Sequence, residues 1–394
     1  MNEQMIRQLI GVYRDGLLND TLAFWQRYSP DREHGGFLTF LDADGTVVGT
    51  DKQIWGNGRI SWVFSKLYNA VERRGEWLDL ARHGIDFLCR HGFDADGRMF
   101  YSVTREGRPL RKRRYLFSEC FAVIAFAEYA KATGDECFAQ RAKELYKLIL
   151  RYQSTPGLLE PKLIPGTRQL KSHAMPMILL SVTQVLRQIG DDPLYKEVVD
   201  ASLREIEDHF MKPELSVLVE NVGPGGEFID EPMGRTVNPG HAIETAWFIM
   251  EEARYRNDKS LTVLATRIMD WSMEIGWDRQ YGGIFYFRDA KGFPCEQYEH
   301  DMKLWWPHNE AIYAALLAYR LTGDTKYERW HQMVHDWAYA HFPDRKNGGW
   351  FGYLHRDGTL SSTLKGNMWQ GPFHLARMQL NCWKLLEEML KEVK

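Results

Sequence analysis

Apolar residues recur along this chain at the three- and four-residue spacing of amphipathic helices, and the helical stretches come in pairs separated by short polar turns. The turns are Arg74-Gly75-Glu76, Gly134-Asp135, Gly190-Asp191, Asn257-Asp258 and Gly323-Asp324. Their recurrence, with a period of about sixty residues, marks repeated helical hairpins. Five hairpins follow directly. A first helix near residues 5–27 and a last near 373–392 are left over, and pairing them closes a ring of six hairpins, twelve helices in all.

The segments between hairpins have a different pattern: HGGFLTFLDADGT (34–46), DGRMFYSVTREGRP (96–109), GGEFIDE (225–231), GGIFYFRDAKG (282–292) and GGWFGYLHRDGT (348–359). Glycine pairs, alternating aromatics and a closing turn predict short β-hairpins at one end of the ring, where the inner helices begin. No low-complexity linker or composition shift divides the chain, so one domain over residues 1–394 is expected.

At three loop-to-helix junctions a proline sits beside a histidine: NPGHAIETAW (238–247), KLWWPHNEA (303–311) and KGNMWQGPFH (365–374). Proline fits the first helical turn because its missing N–H had no partner there. A helix N-terminus carries partial positive charge, which disfavours imidazolium and favours a neutral ring able to accept a proton. The pattern points to proton transfer at converging helix mouths.

Composition narrows the setting. With 394 residues, 44% hydrophobic and 26% charged, the chain has an ordinary globular make-up, and a net charge of −3 gives no reason to expect a nucleic-acid partner. The one basic cluster, Arg111 to Arg114, reads as a solvated loop. No apolar run reaches membrane-spanning length, and the N-terminus MNEQMIRQLI is unlike a signal peptide, so a cytoplasmic location is expected. Five widely spaced cysteines without a C-x-x-C pair argue against a disulfide framework or zinc site.

The segments WGNGR (55–59), SECF (118–121), AMPM (174–177), ENVGPGGE (220–227), NPGH (238–241), MKLWWPHNEA (302–311), WFGYL (350–354) and KGNMWQGPFH resemble the N-acylglucosamine 2-epimerase family, which includes the renin-binding proteins and is related to cellobiose 2-epimerases. The resemblance implies an (α/α)6 barrel, all-α apart from short β-hairpin loops, in agreement with the hairpin count. It implies interconversion of N-acetyl-D-glucosamine and N-acetyl-D-mannosamine through the open-chain sugar. A base removes the C2 proton, negative charge at O1 is stabilised, and an acid returns a proton to the opposite face.

On that resemblance His241 and His374 are the acid/base pair and Arg59 polarises the carbonyl oxygen by paired N–H donors. Bland readings compete: a hydrogen-bonded core histidine for His374 and a surface ion pair for Arg59. Glu244, one helical turn after His241, is placed to fix the imidazole tautomer, against a first-turn acid favoured by the dipole. His173 is a candidate ligand contact. His308 and Glu310 are assigned to sugar binding or to orienting the histidines, with His308 as a structural ring among tryptophans the alternative. Trp305, Trp306 and Trp369 are candidate stacking faces for sugar C–H groups. Arg377, where the family often has a preceding proline, is kept secondary, and the family's WLQGR is WGNGR here.

His331 and His335 share a helix face but lack the glutamate of H-E-x-x-H, so packing is preferred to a metal site and no metal is expected. No cofactor is required by the chemistry, and ATP enters only as an allosteric activator implied by the family, with no nucleotide motif in the sequence. A homodimer is the family expectation. Alternatives are a related aldose or cellobiose 2-epimerase, a mannose-type aldose–ketose isomerase, a glycoside hydrolase using Glu244 and Glu310, and a non-catalytic binding protein.

Overall fold

A computed structural model describes residues 1–112, 115–160, 163–164 and 166–392. Arg113 and Arg114 of the basic cluster lie outside the described residues. The hairpins are α3 (Ile54–Ala70) with α4 (Gly75–His91), α5 (Phe117–Thr133) with α6 (Glu136–Ser154), α7 (Ala174–Leu186) with α8 (Pro193–Glu205), α10 (Pro239–Arg256) with α11 (Lys259–Gly276), and α12 (Trp305–Thr322) with α13 (Thr325–His341). A four-residue helix, α9 (Pro232–Arg235), precedes α10. The first helix, α1 (Glu3–Asp15), runs through a π-helical stretch, Gly16–Thr21, into α2 (Leu22–Tyr28). It packs on the last, α14 (Phe373–Glu392), completing the sixth pair.

Helices α3, α5, α7, α10, α12 and α14 touch in that order and α14 returns to α3, so the expected (α/α)6 barrel closes. These inner helices are buried on nearly every face, as in α5 from Ser118 to Ala130 and α12 from Trp305 to Ala318. The outer helices keep one apolar stripe each: α4 buries Trp77, Ala81, Gly84, Ile85, Phe87 and Leu88. A helix apolar all round needs neighbours on all sides, and one with a stripe needs a wet face, which is what sorts the two layers. Most hairpin turns use the expected stops, with Gly134, Asn257 and Gly323 left-handed and Asp135, Asp258 and Asp324 capping the following helix.

The loops depart from expectation. Local two-strand pairing forms at Phe40–Leu41 with Val47–Gly49 and at Ser102–Val103 with Pro109–Arg111. The other expected hairpins pair between loops: Thr236–Val237 with Arg288–Asp289, and Lys303–Leu304 with Tyr353–Leu354. Segment 225–231 forms no strand. Pairing between loops stitches neighbouring hairpins at the mouth, which local alternation could not reveal.

Three of these loops share one construction, Asp-Arg-x-x-Gly-Gly, at residues 31–36, 278–283 and 344–349. Each aspartate pairs with a buried lysine just before an inner helix: Asp31 with Lys52 (2.8 Å), Asp278 with Lys303 (3.1 Å) and Asp344 with Lys365 (3.0 Å). The lysines also donate to carbonyls of the glycine pairs, at Gly35 (2.7 Å), Gly283 (3.4 Å) and Gly348 (2.6 Å). Gly282 and Gly283 both have positive φ (72° and 75°), and a Cβ on Gly283 would meet Trp337 at 2.8 Å. Only glycine fits there.

Burial opposes the charge of Asp278, but Arg356, the backbone and Lys303 more than offset it and hold its carboxyl far below the ordinary range. Its pairing energy is therefore present above the unfolded carboxylate range and is lost as pH falls through the folded value. Lys303→Met leaves Asp278 buried with Arg356 alone. Urea unfolding at pH 7 is expected to show a loss of about 3 kcal/mol, the scale for removing one partner of a buried pair, and the deficit is expected to shrink as the pH falls below the carboxylate range. An unchanged midpoint at pH 7 would mean the clamp contributes nothing.

Candidate functional site

The N-termini of the inner helices surround a cavity of about 550 Å³. Of the residues singled out from the sequence, Arg59, His241, Glu244, Trp305, Trp306, Trp369 and His374 line it. Asn238 caps α10 by accepting the backbone N–H of His241 at 3.1 Å, which fixes the turn that carries the ring. His374 enters from the first turn of α14. The indole of Trp306 lies beside both imidazoles, its ring centroid 5.1 Å from that of His241 and 5.7 Å from that of His374.

Each imidazole has its own carboxylate. His374 Nδ1 lies 2.7 Å from Glu310 Oε1, so a neutral ring donates Nδ1–H and leaves its Nε2 lone pair free. Glu310 also accepts from Trp247 Nε1 at 2.7 Å and pairs with Arg377 at 2.8 Å. His241 Nδ1 lies 3.0 Å from Glu220 Oε2, an acid in the loop before α9. Sequence reading missed Glu220 as a site residue, although ENVGPGGE was among the recognised segments.

The surroundings shift the two rings in opposite directions. Burial, with Arg59 and Arg377 nearby, holds His374 well below the ordinary imidazole range. Burial pushes His241 down too, but Glu220, by charge and hydrogen bond, more than reverses it and the net shift is upward. A carboxylate in hydrogen-bond contact outweighs the partial charge of a helix end. The site therefore pairs a proton-poor imidazole with a proton-rich one.

Glu244 does not take the tautomer-fixing place expected for it. Its carboxylate accepts from Arg377, whose Nη2 also reaches Glu310. Glu244, Glu310 and His374 converge closely enough to hold a cation, with ligand atoms within 4.8 Å of one another. The Arg377 guanidinium is that cation, its Nη2 also lying 3.4 Å from His374 Nδ1. Arg377 thus moves from a secondary residue to the centre of the site.

Arg59 is different. Its guanidinium packs over Phe121 (4.0 Å) and Phe373 (5.0 Å), and its buried Nε has no hydrogen-bond partner among the described residues. Burial, reinforced by Arg377 but opposed by Glu244, lowers its pKa to about 10, so it remains charged at pH 7. A surface ion pair is excluded by this burial. The arginine is a charged donor with capacity in reserve.

Two expected ligand contacts lie elsewhere. His308 is fully buried, with Nδ1 2.6 Å from the Leu304 carbonyl and Nε2 accepting from Ile284 N–H at 2.9 Å, while its ring stacks on Trp337. Both ring nitrogens are used by backbone, so it ties α12 to the glycine-pair loop. His173 is also fully buried outside the cavity wall, its Nε2 3.1 Å from Thr245 Oγ1, and burial drops its pKa to about 4. Thr245 in turn donates to the His241 carbonyl at 2.9 Å, so His173 buttresses α10 from behind. His331 and His335 pack against Tyr13, whose hydroxyl lies 3.1 and 2.8 Å from their rings.

Comparison with known proteins agrees with this architecture. The family model described as N-acylglucosamine 2-epimerase (GlcNAc 2-epimerase) matches residues 35–375. The chain is 37% identical to the N-acylglucosamine 2-epimerase of Bos taurus over 95% of its own length and 91% of that protein. With the Homo sapiens N-acylglucosamine 2-epimerase the identity is 36%, covering 95% of this chain and 88% of the relative. The cellobiose 2-epimerase of Bacillus thermoamylovorans B4167 superposes with a TM-score of 0.84 at 22% identity, covering 96% of this chain and 99% of that one, a likeness of fold.

The Glu220 pairing makes a direct prediction. In Glu220→Gln the largest influence opposing burial at His241 disappears and only the weaker pull of Glu244 and Glu310 remains, so the imidazole titration followed by NMR is expected to move down. His374, which has its own carboxylate, is expected to keep its position. A His241 titration that does not move would remove Glu220 from its role.

Proposed function

The chain belongs to the N-acylglucosamine 2-epimerase family and is a carbohydrate epimerase acting on a small sugar, and from that premise we propose that it interconverts N-acetyl-D-glucosamine and N-acetyl-D-mannosamine with His374 and His241 as opposed base and acid. The observation that carries the reading is the pair of imidazoles flanking Trp306, each anchored at Nδ1 by a separate carboxylate. Anchoring at Nδ1 leaves each Nε2 for chemistry.

The steps follow from the protonation states. With the open-chain sugar bound, neutral His374 Nε2 takes the C2 proton of one epimer, because its depressed pKa keeps the lone pair available at pH 7. Charge developing at O1 meets the buried, unspent guanidinium of Arg59, which supplies donors without giving up its proton. His241, whose hold on a proton Glu220 strengthens, delivers a proton to the other face of C2, and the roles reverse for the return reaction. Trp305, Trp306 and Trp369 offer apolar faces to sugar C–H groups. Metal assistance and ATP consumption are not part of this scheme.

Glycosidic cleavage by Glu244 and Glu310 is disfavoured because Arg377 binds both carboxylates, leaving neither free to exchange protons. An aldose–ketose isomerase shares the first step and differs in returning the proton to C1. NMR of products from each N-acetylhexosamine and from mannose separates these outcomes.

The decisive experiment uses His241→Asn and His374→Asn in deuterium oxide. Each is expected to lose net epimerisation by about a hundredfold or more, the lower range for deleting a general acid or base. C2–H exchange is expected to survive from one epimer only, and a different epimer in each variant. Full epimerisation by either folded variant refutes the pair. Arg59→Lys is expected to reduce kcat by about tenfold or more with little change in KM, since a point charge cannot reproduce the forked donor geometry. Wild-type kcat in that variant would remove Arg59 from the oxyanion site.

A further inference from the structure

The lining of the sugar cavity differs from one side to the other. On the side of α10 and α14 the first turns carry the two imidazoles, with Glu244 and Arg377 one turn below them. On the side of α5 and α7 the wall runs deeper and is apolar. Ile124 of α5 and Val182 of α7 lie about two turns below the starts of their helices, with Ile178 one turn above Val182. The one polar side chain in this group is Ser181, half-buried on α7. Ile124 and Ser181 also border a second cavity of about 400 Å³ on the far side, so the floor there is one side chain thick.

The proposed reaction fixes where C2 lies relative to this floor. C2 sits between His241 and His374 beside the indole of Trp306, with O1 toward Arg59. Helix α12, which carries Trp306, stands between α10 and α14 in the ring and so faces α5 across the lumen. At a planar C2 the imidazoles occupy both faces and C1 leads to Arg59. Two substituents remain, the polyol chain from C3 and the acylated nitrogen, and two spaces are left for them, the mouth and the floor between α5 and α7. The mouth offers the Tyr286 hydroxyl and the Glu299 carboxylate, both from the loop that leads into α12. A polyol on the apolar floor would leave its hydroxyls without partners, whereas an alkyl chain loses nothing there and gains by burial.

We propose that the floor between α5 and α7 is the acyl subsite, that it takes N-acyl chains longer than acetyl, and that Ser181 sets the length it accepts. The inference rests on the epimerase reading for the position of C2. A cavity of about 550 Å³ belongs with pockets that enclose ligands larger than one N-acetylhexosamine. A longer chain extends along Ile178 and Val182 toward Ile124, and the small side chain at position 181 is what leaves the end of that path open.

N-acyl-D-glucosaminitols, which are open-chain and unable to epimerise, separate the subsite from the reaction. In isothermal titration of the full chain, the N-butanoyl compound is expected to bind about tenfold more tightly than the N-acetyl compound, since each of its two extra methylenes is worth about fourfold when buried. Ser181→Leu fills the floor and is expected to bring the ratio of the two affinities to about one or below. Ile124→Ala empties it and is expected to extend the gain to the N-hexanoyl compound. Each comparison is a ratio within one variant, so a general loss of affinity cancels. Equal binding of the acetyl and butanoyl compounds by wild type, or a ratio that Ser181→Leu leaves unchanged, overturns the subsite. Turnover of N-acetyl-D-mannosamine is followed alongside. Its absence, with the chain-length dependence intact, overturns the epimerase reading, whereas turnover without that dependence overturns only the subsite.

Discussion

The Arg377 guanidinium, buried between two carboxylates, organises the site around it. The residue is 6% exposed and draws Glu244 from α10 and Glu310 from α12 onto one nitrogen at the start of α14. Three inner helices are thus referenced to a single planar cation. Losing that cation would strand two buried carboxylates, a penalty far larger than any surface ion pair contributes. Glu310, fixed in this way, has its other oxygen pointed at His374, so the geometry of that imidazole is set by a charge balance three residues away.

The same balance explains why two histidines in one cavity titrate in opposite directions. His374 has a carboxylate neighbour, but that carboxylate is shared with Arg377, and Arg59 adds a second positive charge. Burial then wins. His241 faces Glu220, which has no arginine or lysine ion pair among the described residues and whose other histidine neighbour, the fully buried His173 at 3.9 Å, is held neutral by burial. There the carboxylate wins over burial. The opposite shifts of the two rings thus depend on which anion has a cationic partner, not on the helix ends from which both rings emerge.

The fold was legible because it is written in local patterns: the five polar turns, the helical spacing of apolar residues and the proline-histidine junctions each survive in the structure. The site was legible only in part. His241, His374, Arg59 and the three tryptophans reach the cavity, being carried at loop–helix junctions that the sequence marks. His173 and His308 do not, because a histidine near a helix start can serve backbone and hydroxyl partners that only the fold brings near. Glu220 lies 21 residues from His241 across a loop, and Arg377 lies 133 residues from Glu244, so no spacing rule links them. The strands pairing between loops escaped notice for the same reason.

The departure WGNGR acquires a physical meaning in this context. Asn57 accepts the backbone N–H of Phe37 at 2.7 Å and donates to the Gln53 carbonyl at 2.9 Å, joining the start of α3 to the first glycine-pair loop. Gly58 backs onto α5, where a Cβ would lie 2.9 Å from the Phe121 carbonyl oxygen. That close approach lets the Phe121 ring lie under the guanidinium of Arg59. The segment thus places a cation by packing and leaves its hydrogen bonds unspent. An arginine positioned by ion pairs would have lost the donors that a developing oxyanion requires, so aromatic packing is the arrangement that both fixes the charge and keeps it available.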